Sequence, residues 1–281
     1  MAATAATAAA ATGSGSGPAA EIAVIGGSGF YDFGAEHGNL SLDTPYGSPS
    51  APITLADVGG RRVAFLPRHG LRHEFAPHLV NYRANLWALR SLGVRRVIGP
   101  CAAGSLRPEI QPGHFVILDQ LVDRTWGRAD TFVEGSDVRH VSFADPYCSE
   151  LGLVLAASAT SGPAGAVHVG GTVVVVQGPR FSTRAESNWY RSAGWQVINM
   201  TQYPEAYLAR ELGMCYCGVA LITDYDTGVE GVEGIGPVTM DEVFAVLAAN
   251  VSRTRDLLSA AIPAIPAEPG CGCHQSAPDQ M

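Results

Sequence analysis

Lysine is absent from this 281-residue chain, and all 18 basic residues are arginine. That absence excludes a P-loop lysine for nucleoside triphosphates and a Schiff base with a carbonyl substrate or pyridoxal phosphate. Kinase and aldolase chemistries fall away with it. Anion binding must rest on arginine, histidine and backbone N–H groups, and the planar guanidinium fork suits phosphate oxygens. Charge is sparse as well: 16% of residues are charged and the formal net charge is −8. A chain with no basic excess lacks the face that non-specific nucleic-acid or anionic-membrane binding needs, so neither partner is expected. Long apolar runs are missing too. The longest valine run, Val173 to Val176, has the length of a strand buried on both faces and not of a membrane span.

Disulfide-framework spacing is also lacking. Cys101, Cys148, Cys215 and Cys217 stand in apolar, strand-like surroundings, which reads as reduced core thiols and a cytoplasmic location. Cys271, Cys273 and His274, in CGCHQS, are open to three readings: part of a metal site, a vicinal redox pair, or incidental cysteines on a flexible tail. The tail is favoured, because proline-rich IPAIPAEPG precedes it and one short cluster cannot close a tetrahedral shell by itself. Residues 1–20 form an Ala/Thr/Gly/Ser tract without the basic start and leucine-type centre of a secretory signal, and are expected to be disordered. The expected organisation is a disordered 1–20, one α/β domain over 21–266, and a flexible 267–281. At 47% hydrophobic, the chain can bury a sizeable core.

What is present concentrates between Trp195 and Gly228. An apolar strand, Gln196 to Met200, stops at Thr201; PEAYLAREL reads as a helix with proline in its first turn. A second strand, Cys215 to Thr223, ends in Asp224 and Asp226. Strand, helix, strand predicts a parallel crossover unit whose strand ends share a ligand cleft. Residues two apart in extended chain face one side, so the two carboxylates address one object and raise each other's proton affinity. A proton-bearing carboxyl beside an accepting carboxylate suits a 6-aminopurine, one donating to N7 and the other accepting from the amine. An oxygen-ligand metal site and a solvated turn remain open on the spacing alone.

Elsewhere, strand Ile22 to Ile25 runs into Gly26, Gly27, Ser28 and Gly29. The third glycine and the helix of a dinucleotide fingerprint are missing, which leaves a phosphate loop or a plain tight turn. This failure disfavours a nucleotide-binding oxidoreductase; a non-catalytic binding protein is a further alternative. Strand Arg62 to Leu66 delivers Arg68, His69 and Gly70, with His73 four residues on. A histidine metal pair is conceivable, but a cationic seat for an anion fits better. PHLVNYRANLWALRSLGV shows helical spacing from Pro77 to Gly93, with Trp87 and Leu89 as core. Strand Arg96 to Gly99 enters the small residues Cys101, Ala102, Ala103, Gly104 and Ser105. FVILDQLVDRT reads as one further strand with Asp119 and Asp123 structural. Thr183 and Glu186 form a capping-box pattern, as do Thr239 and Glu242 before the last helix, whose Met240 and Val243 face an apolar pocket. The glycine-rich TGVEGVEGIGP reads as a lid.

The run NMTQYPEAYLARELGMCYCGVALITDYD, together with GPRFSTRAES at 178–187, RHG at 68–70 and GGSG at 26–29, resembles the purine nucleoside phosphorylases, in the family's order from Ile22 to Pro266. The resemblance implies one α/β domain with a mixed, twisted central sheet flanked by helices. It implies phosphorolysis of 5′-methylthioadenosine to adenine and 5-methylthioribose 1-phosphate, with 5′-methylthioinosine or other purine nucleosides as the alternative. Phosphate would be held by Ser28, Arg68, His69, the Ala102 backbone and Thr201. Cys101 stands where the family often has threonine, which puts its side-chain contact to phosphate in doubt. Asp224 would be the catalytic acid, Asp226 the selector of the amino form, and Met200 a neighbour of the ribose. Phe181 would flank the purine, with Tyr225 grouped among the substrate contacts although strand alternation turns it away from the acids. Ser182 and Met240 would set specificity. No metal or organic cofactor is implied, inorganic phosphate being a co-substrate. A homotrimer is, with His140 in the segment that would cross to a neighbour.

Overall fold

A computed structural model describes residues 19–27, 35–136, 140–160, 166–229, 235 and 240–276. The strands are β1 (Ile22–Gly26), β2 (Ala35–Leu40), β3 (Ile53–Val58), β4 (Arg61–Pro67), β5 (Arg96–Ser105), β6 (Phe115–Ile117), β7 (Gln120–Arg124), β8 (Val167–Val169), β9 (Thr172–Val176), β10 (Val197–Asn199) and β11 (Cys215–Tyr225). The helices are α1 (Tyr82–Ser91), α2 (Ser149–Thr160), α3 (Arg184–Ser192), α4 (Gln202–Glu211) and α5 (Met240–Ala264), followed by a 3₁₀ turn at Cys273–Ser276.

The strands make one mixed sheet in the order β2-β3-β4-β1-β5-β10-β9-β7, with β11 pairing β5 and β6, and β6 pairing β8. Alternation along the central strands explains why helices cover both faces. In β1, Ile22 and Val24 join a core with Leu151 and Leu155 of α2 and Leu258 and Ile262 of α5, while Ala23 and Ile25 join Leu86 and Leu89 of α1 and Leu208 of α4. Strand β11 divides the same way: Cys215, Cys217, Val219 and Leu221 face α2 and α5; Tyr216, Ala220 and Ile222 face α1 and α4. A strand apolar at every position has two faces to bury, so the fold is a sheet between helical layers. Among the described residues no helix is long and apolar enough to cross a membrane.

Four sequence expectations are corrected. The Trp195–Gly228 unit is not a parallel crossover: β10 runs antiparallel to β5 and β11 parallel to it, so the two strands oppose each other across β5. Helix α1 starts at Tyr82, not Pro77, because the Asn81 side chain accepts from the Ala84 N–H and caps it there. FVILDQLVDRT is two strands in different places, β6 beside β11 and β7 beside β9, separated where Asp119 accepts from the Gly171 N–H. The segment after Pro266 is not a free tail: Cys273 is buried and the Gly270 N–H donates to Glu150 at 2.6 Å. Ser28, most of the glycine-rich lid, Thr239, and the side chains of Met240, Glu242 and Val243 lie outside the described residues.

Candidate active site

The ten-residue β5 organises the site because three strands read from it: β1 on one side, β11 along its length, and β10 at its C-terminal end. Small residues at 101–105 let these neighbours approach closely. Gly104 is where they meet. A methyl group there would lie 3.1 Å from Ile198 Cγ2, 3.5 Å from Asp224 Oδ2 and 3.6 Å from Asp226 Cβ, so β10 and both acids converge over one glycine.

Asp224 reaches that position through a bulge. Ile222 pairs with Ala103 and Asp224 with Gly104, leaving Thr223 as the extra residue. The Thr223 hydroxyl donates to Asp224 Oδ1 at 2.5 Å. Burial, with help from the neighbouring Asp226 charge and against that hydrogen bond, pushes the Asp224 carboxyl up to about 6. Asp226, 6% exposed, is tied by its N–H to the Ser105 carbonyl. Tyr225 points away, donating its hydroxyl to the Pro108 carbonyl at 3.0 Å, as strand alternation requires.

Across β5, Asn199 shapes the turn that carries Met200 and Thr201. Its Oδ1 accepts from the N–H groups of Thr201 and Gln202 at 2.7 and 2.8 Å, and its Nδ2 donates to the Ala102 carbonyl and Thr201 Oγ1. Thr201 is therefore fixed beside Ala102, the pairing that phosphate contact would need. Met200 packs against Gly178: a methyl on that glycine, whose φ is +64°, would come within 2.5 Å of Met200 Sδ. Cys101 is buried and its sulfur accepts from Gln202 Nε2 at 3.3 Å; burial keeps the thiol neutral, raised to about 12. The thiol is thus engaged with the helix α4 start.

The RHG cation seat is corrected in its details. Arg68 is fully buried and spends four hydrogen bonds inside the protein: Nε and Nη2 on Glu205, both at 2.7 Å, Nη1 on the Pro100 carbonyl and Nη2 on the Ile25 carbonyl. Only one N–H of the five in a guanidinium is left. His69 donates Nδ1–H to the Phe75 carbonyl at 2.8 Å, and burial together with the Arg68 charge pulls its basicity down to about 4. At neutral pH it is an uncharged ring with Nε2 as an acceptor, stacked on His73 at 4.4 Å. An expected consequence is that His69 titrates near pH 4 and is silent from pH 5.5 to 8. Imidazole ¹⁵N shifts that moved with a midpoint above 6 would contradict this assignment. Because the folded state resists protonation, His69 contributes stability that is present above the unfolded value near 6.5 and declines as pH falls toward 4.

Helix α3 places Ser182. Thr183 is the N-cap, with its side chain accepting from the Glu186 N–H and Glu186 accepting from the Thr183 N–H, as the pattern predicts. Arg180 forks onto Glu186 at 2.7 and 2.8 Å. Ser182 lines a cavity of about 260 Å³ with Gln177, Gly178, Trp126 and Tyr190, next to Met200 through Gly178. Neither acid lines that cavity. Phe181, just before Ser182, is 65% exposed, and its carbonyl accepts from Arg180 Nη1. Removing the cap by Thr183→Ala is expected to cost about 1 kcal/mol, read as a lowered denaturation midpoint at unchanged slope.

Glu205, Asn199, Gln202 and Tyr216 were not singled out from the sequence. Glu205 is buried under Arg68 and also accepts from the Tyr216 hydroxyl at 2.6 Å. One signal for it existed: a glutamate beside Ala206 on the apolar face of α4 requires a buried partner.

The model of the phosphorylase superfamily matches residues 21–263. The chain belongs to that superfamily. Similar relatives include the S-methyl-5′-thioadenosine phosphorylase of Mycolicibacterium smegmatis, 56% identical over 89% of this chain and 93% of that protein. Another is the purine nucleoside phosphorylase of Streptomyces coelicolor, 53% identical over 90% and 93%. Among solved structures, a methylthioadenosine phosphorylase from an antarctic soil metagenomic library superposes with a TM-score of 0.85 at 39% identity, covering 93% of this chain and 92% of that one. The methylthioadenosine phosphorylase of Schistosoma mansoni, solved with adenine, superposes at 0.84 and 35% identity over 92% and 96%. In this superfamily chain, then, the sheet between helical layers carries a candidate nucleoside site at the C-terminal end of β5 and β11.

Proposed function

We propose that the protein is an S-methyl-5′-thioadenosine phosphorylase, a pentosyltransferase that converts 5′-methylthioadenosine and inorganic phosphate into adenine and 5-methylthioribose 1-phosphate, a step of purine and methionine salvage. The observation that carries this reading is the pair of acids over Gly104, one of them held near pH 6 by burial. Similar proteins named for this activity support it.

In the reaction a phosphate oxygen bonds to the anomeric carbon while the bond from that carbon to purine N9 breaks, through an oxocarbenium-like state. Asp224 gives its proton to N7, so the base leaves neutral. Asp226 accepts from the 6-amine. Phosphate is held by Thr201, the Ala102 backbone, Ser28 and the Arg68–His69 turn, in which the neutral His69 Nε2 takes a hydrogen bond from a protonated phosphate oxygen. The negative charge of phosphate steadies the cationic sugar. Met200 lies along the ribose, and Phe181, Ser182 and Met240 shape the rest of the nucleoside pocket. Phosphate and the chain's own groups supply the chemistry, so the reaction itself calls for no metal or organic cofactor.

We also place the protein in the cytoplasm as a homotrimer. Trp126 and Phe181, 66% and 65% exposed next to the Ser182 cavity, are the kind of apolar surface that a neighbouring subunit covers. Sedimentation at a trimer's mass is the expected result. A second reading, a phosphorylase for 5′-methylthioinosine or other purine nucleosides, is favoured by the Streptomyces relative's name alone. The deciding test incubates pure protein with phosphate and a nucleoside panel. Phosphate-dependent release of adenine from 5′-methylthioadenosine is expected; preferential release of hypoxanthine from the 6-oxo nucleosides would select the second reading.

A further inference from the structure

Far from the acids, four cysteines from three separate parts of the chain meet. The Sγ atoms of Cys148, Cys215, Cys271 and Cys273 all lie within 4.8 Å of one another. Cys148 precedes α2 and is fixed by its N–H to the Tyr216 carbonyl at 2.8 Å; Cys215 opens β11 with its N–H on the Arg95 carbonyl at 2.9 Å. Cys271 and Cys273 arrive from the segment after α5, which Glu150 holds through the Gly270 N–H. Three of the four are buried and Cys271 is half-buried, leaving a route inward. We propose that these four thiolates form a structural site for one Zn²⁺ ion, clamping the C-terminal segment onto the end of the sheet opposite the nucleoside site.

The distances suit a metal better than a bond between sulfurs. Zinc–thiolate bonds of about 2.3 Å in a tetrahedron set the sulfurs about 3.8 Å apart, whereas a disulfide needs about 2.05 Å. Cys215 and Cys271 stand 3.3 Å apart, a small adjustment from the first and a large one from the second. An all-sulfur donor set selects soft or borderline ions and excludes magnesium and calcium. With only Gly272 between them, Cys271 and Cys273 can turn both sulfurs to one centre. Four thiolates around a dication leave two negative charges, which the N-terminal end of α2 at Cys148, Arg210 within electrostatic reach of Cys273, and Arg90 and Arg95 offset, the last two lining an adjacent cavity of about 370 Å³ with Cys215, Glu268 and His274. At about 3.3 Å per residue, β11 carries Asp224 about 30 Å from Cys215, so the ion would take no part in catalysis.

The experiment is elemental analysis of the full-length protein, purified under reducing conditions without chelator and then reconstituted with Zn²⁺. About one zinc per chain is expected, and cobalt substitution should give the near-ultraviolet sulfur charge-transfer and strong visible bands of a tetrahedral thiolate site. A Cys271→Ser/Cys273→Ser variant should keep less than about a tenth of the metal and melt earlier, while adenine release persists, since its nucleoside site is remote. Reduced wild-type protein with under about 0.1 zinc per chain after reconstitution would overturn the proposal. So would metal-free native protein whose intact mass shows the four thiols lost to disulfides. Metal content is read independently of activity, so failure of the phosphorylase assay would not bear on it.

Discussion

Asp224→Asn is expected to lower kcat/KM for 5′-methylthioadenosine by about 100- to 10,000-fold, the range that a positioned proton donor supplies. The same substitution should raise stability at pH 7. The folded state lifts Asp224 from 3.8 to about 6, so between those values it holds a proton that the unfolded chain releases. Its stabilising contribution is complete below the unfolded value and is lost as pH rises through 6. At neutral pH the buried carboxylate therefore costs at most about 3 kcal/mol relative to a neutral group, since a tenfold change in proton affinity corresponds to roughly 1.4 kcal/mol. Asparagine still accepts from Thr223 but is never charged, so the variant should melt several degrees higher at pH 7 and lose that advantage near pH 4. In the wild type, kcat/KM should fall as pH rises above about 6, as Asp224 deprotonates in the free enzyme; the variant should lack that limb. An Asp224→Asn enzyme with unchanged turnover would refute the role assigned to the residue.

The largest structural effect is expected at Glu205. Arg68 is completely buried, and Glu205→Gln takes away the charge that two of its hydrogen bonds meet. Stranding a buried cation costs about 3–5 kcal/mol. The damage should also reach the anion site, because the Arg68 N–H donates to the Gly26 carbonyl at the mouth of the glycine loop. Thermal unfolding and the KM for phosphate should therefore worsen together, with the KM for nucleoside moving less. Replacing both partners, Arg68→Met with Glu205→Leu, should recover much of the stability, since no uncompensated charge remains, but not the phosphate KM. A Glu205→Gln variant that melted with the wild type and bound phosphate normally would contradict this account.

Much of the fold was legible in the sequence because the central strands are apolar at consecutive positions, which only a doubly covered sheet satisfies. Strand direction was not. The chain from Val197 to Tyr225 has the spacing of a crossover unit, yet β10 pairs antiparallel with the far end of β5, a choice made by the tertiary partner and invisible locally. The acids were legible as a pair by their spacing of two. What brings them over Gly104 is the bulge at Thr223, which depends on the register against Ala103 and Gly104. Arg68 and His69 were found at a strand end, as a cationic seat. Their actual states, a guanidinium spent on Glu205 and a neutral imidazole, follow from residues 137 and 6 positions away in the chain. The cysteine cluster was missed for the same reason: CGC alone cannot complete a shell, and Cys148 and Cys215 join it only through folding.

The most direct test is a crystal structure with adenine and phosphate bound. An Asp224 oxygen is expected about 3 Å from N7 and Asp226 accepting from the 6-amine, with phosphate beside Thr201 and Ala102. Adenine seated elsewhere, with neither carboxyl on the base, would contradict this expectation.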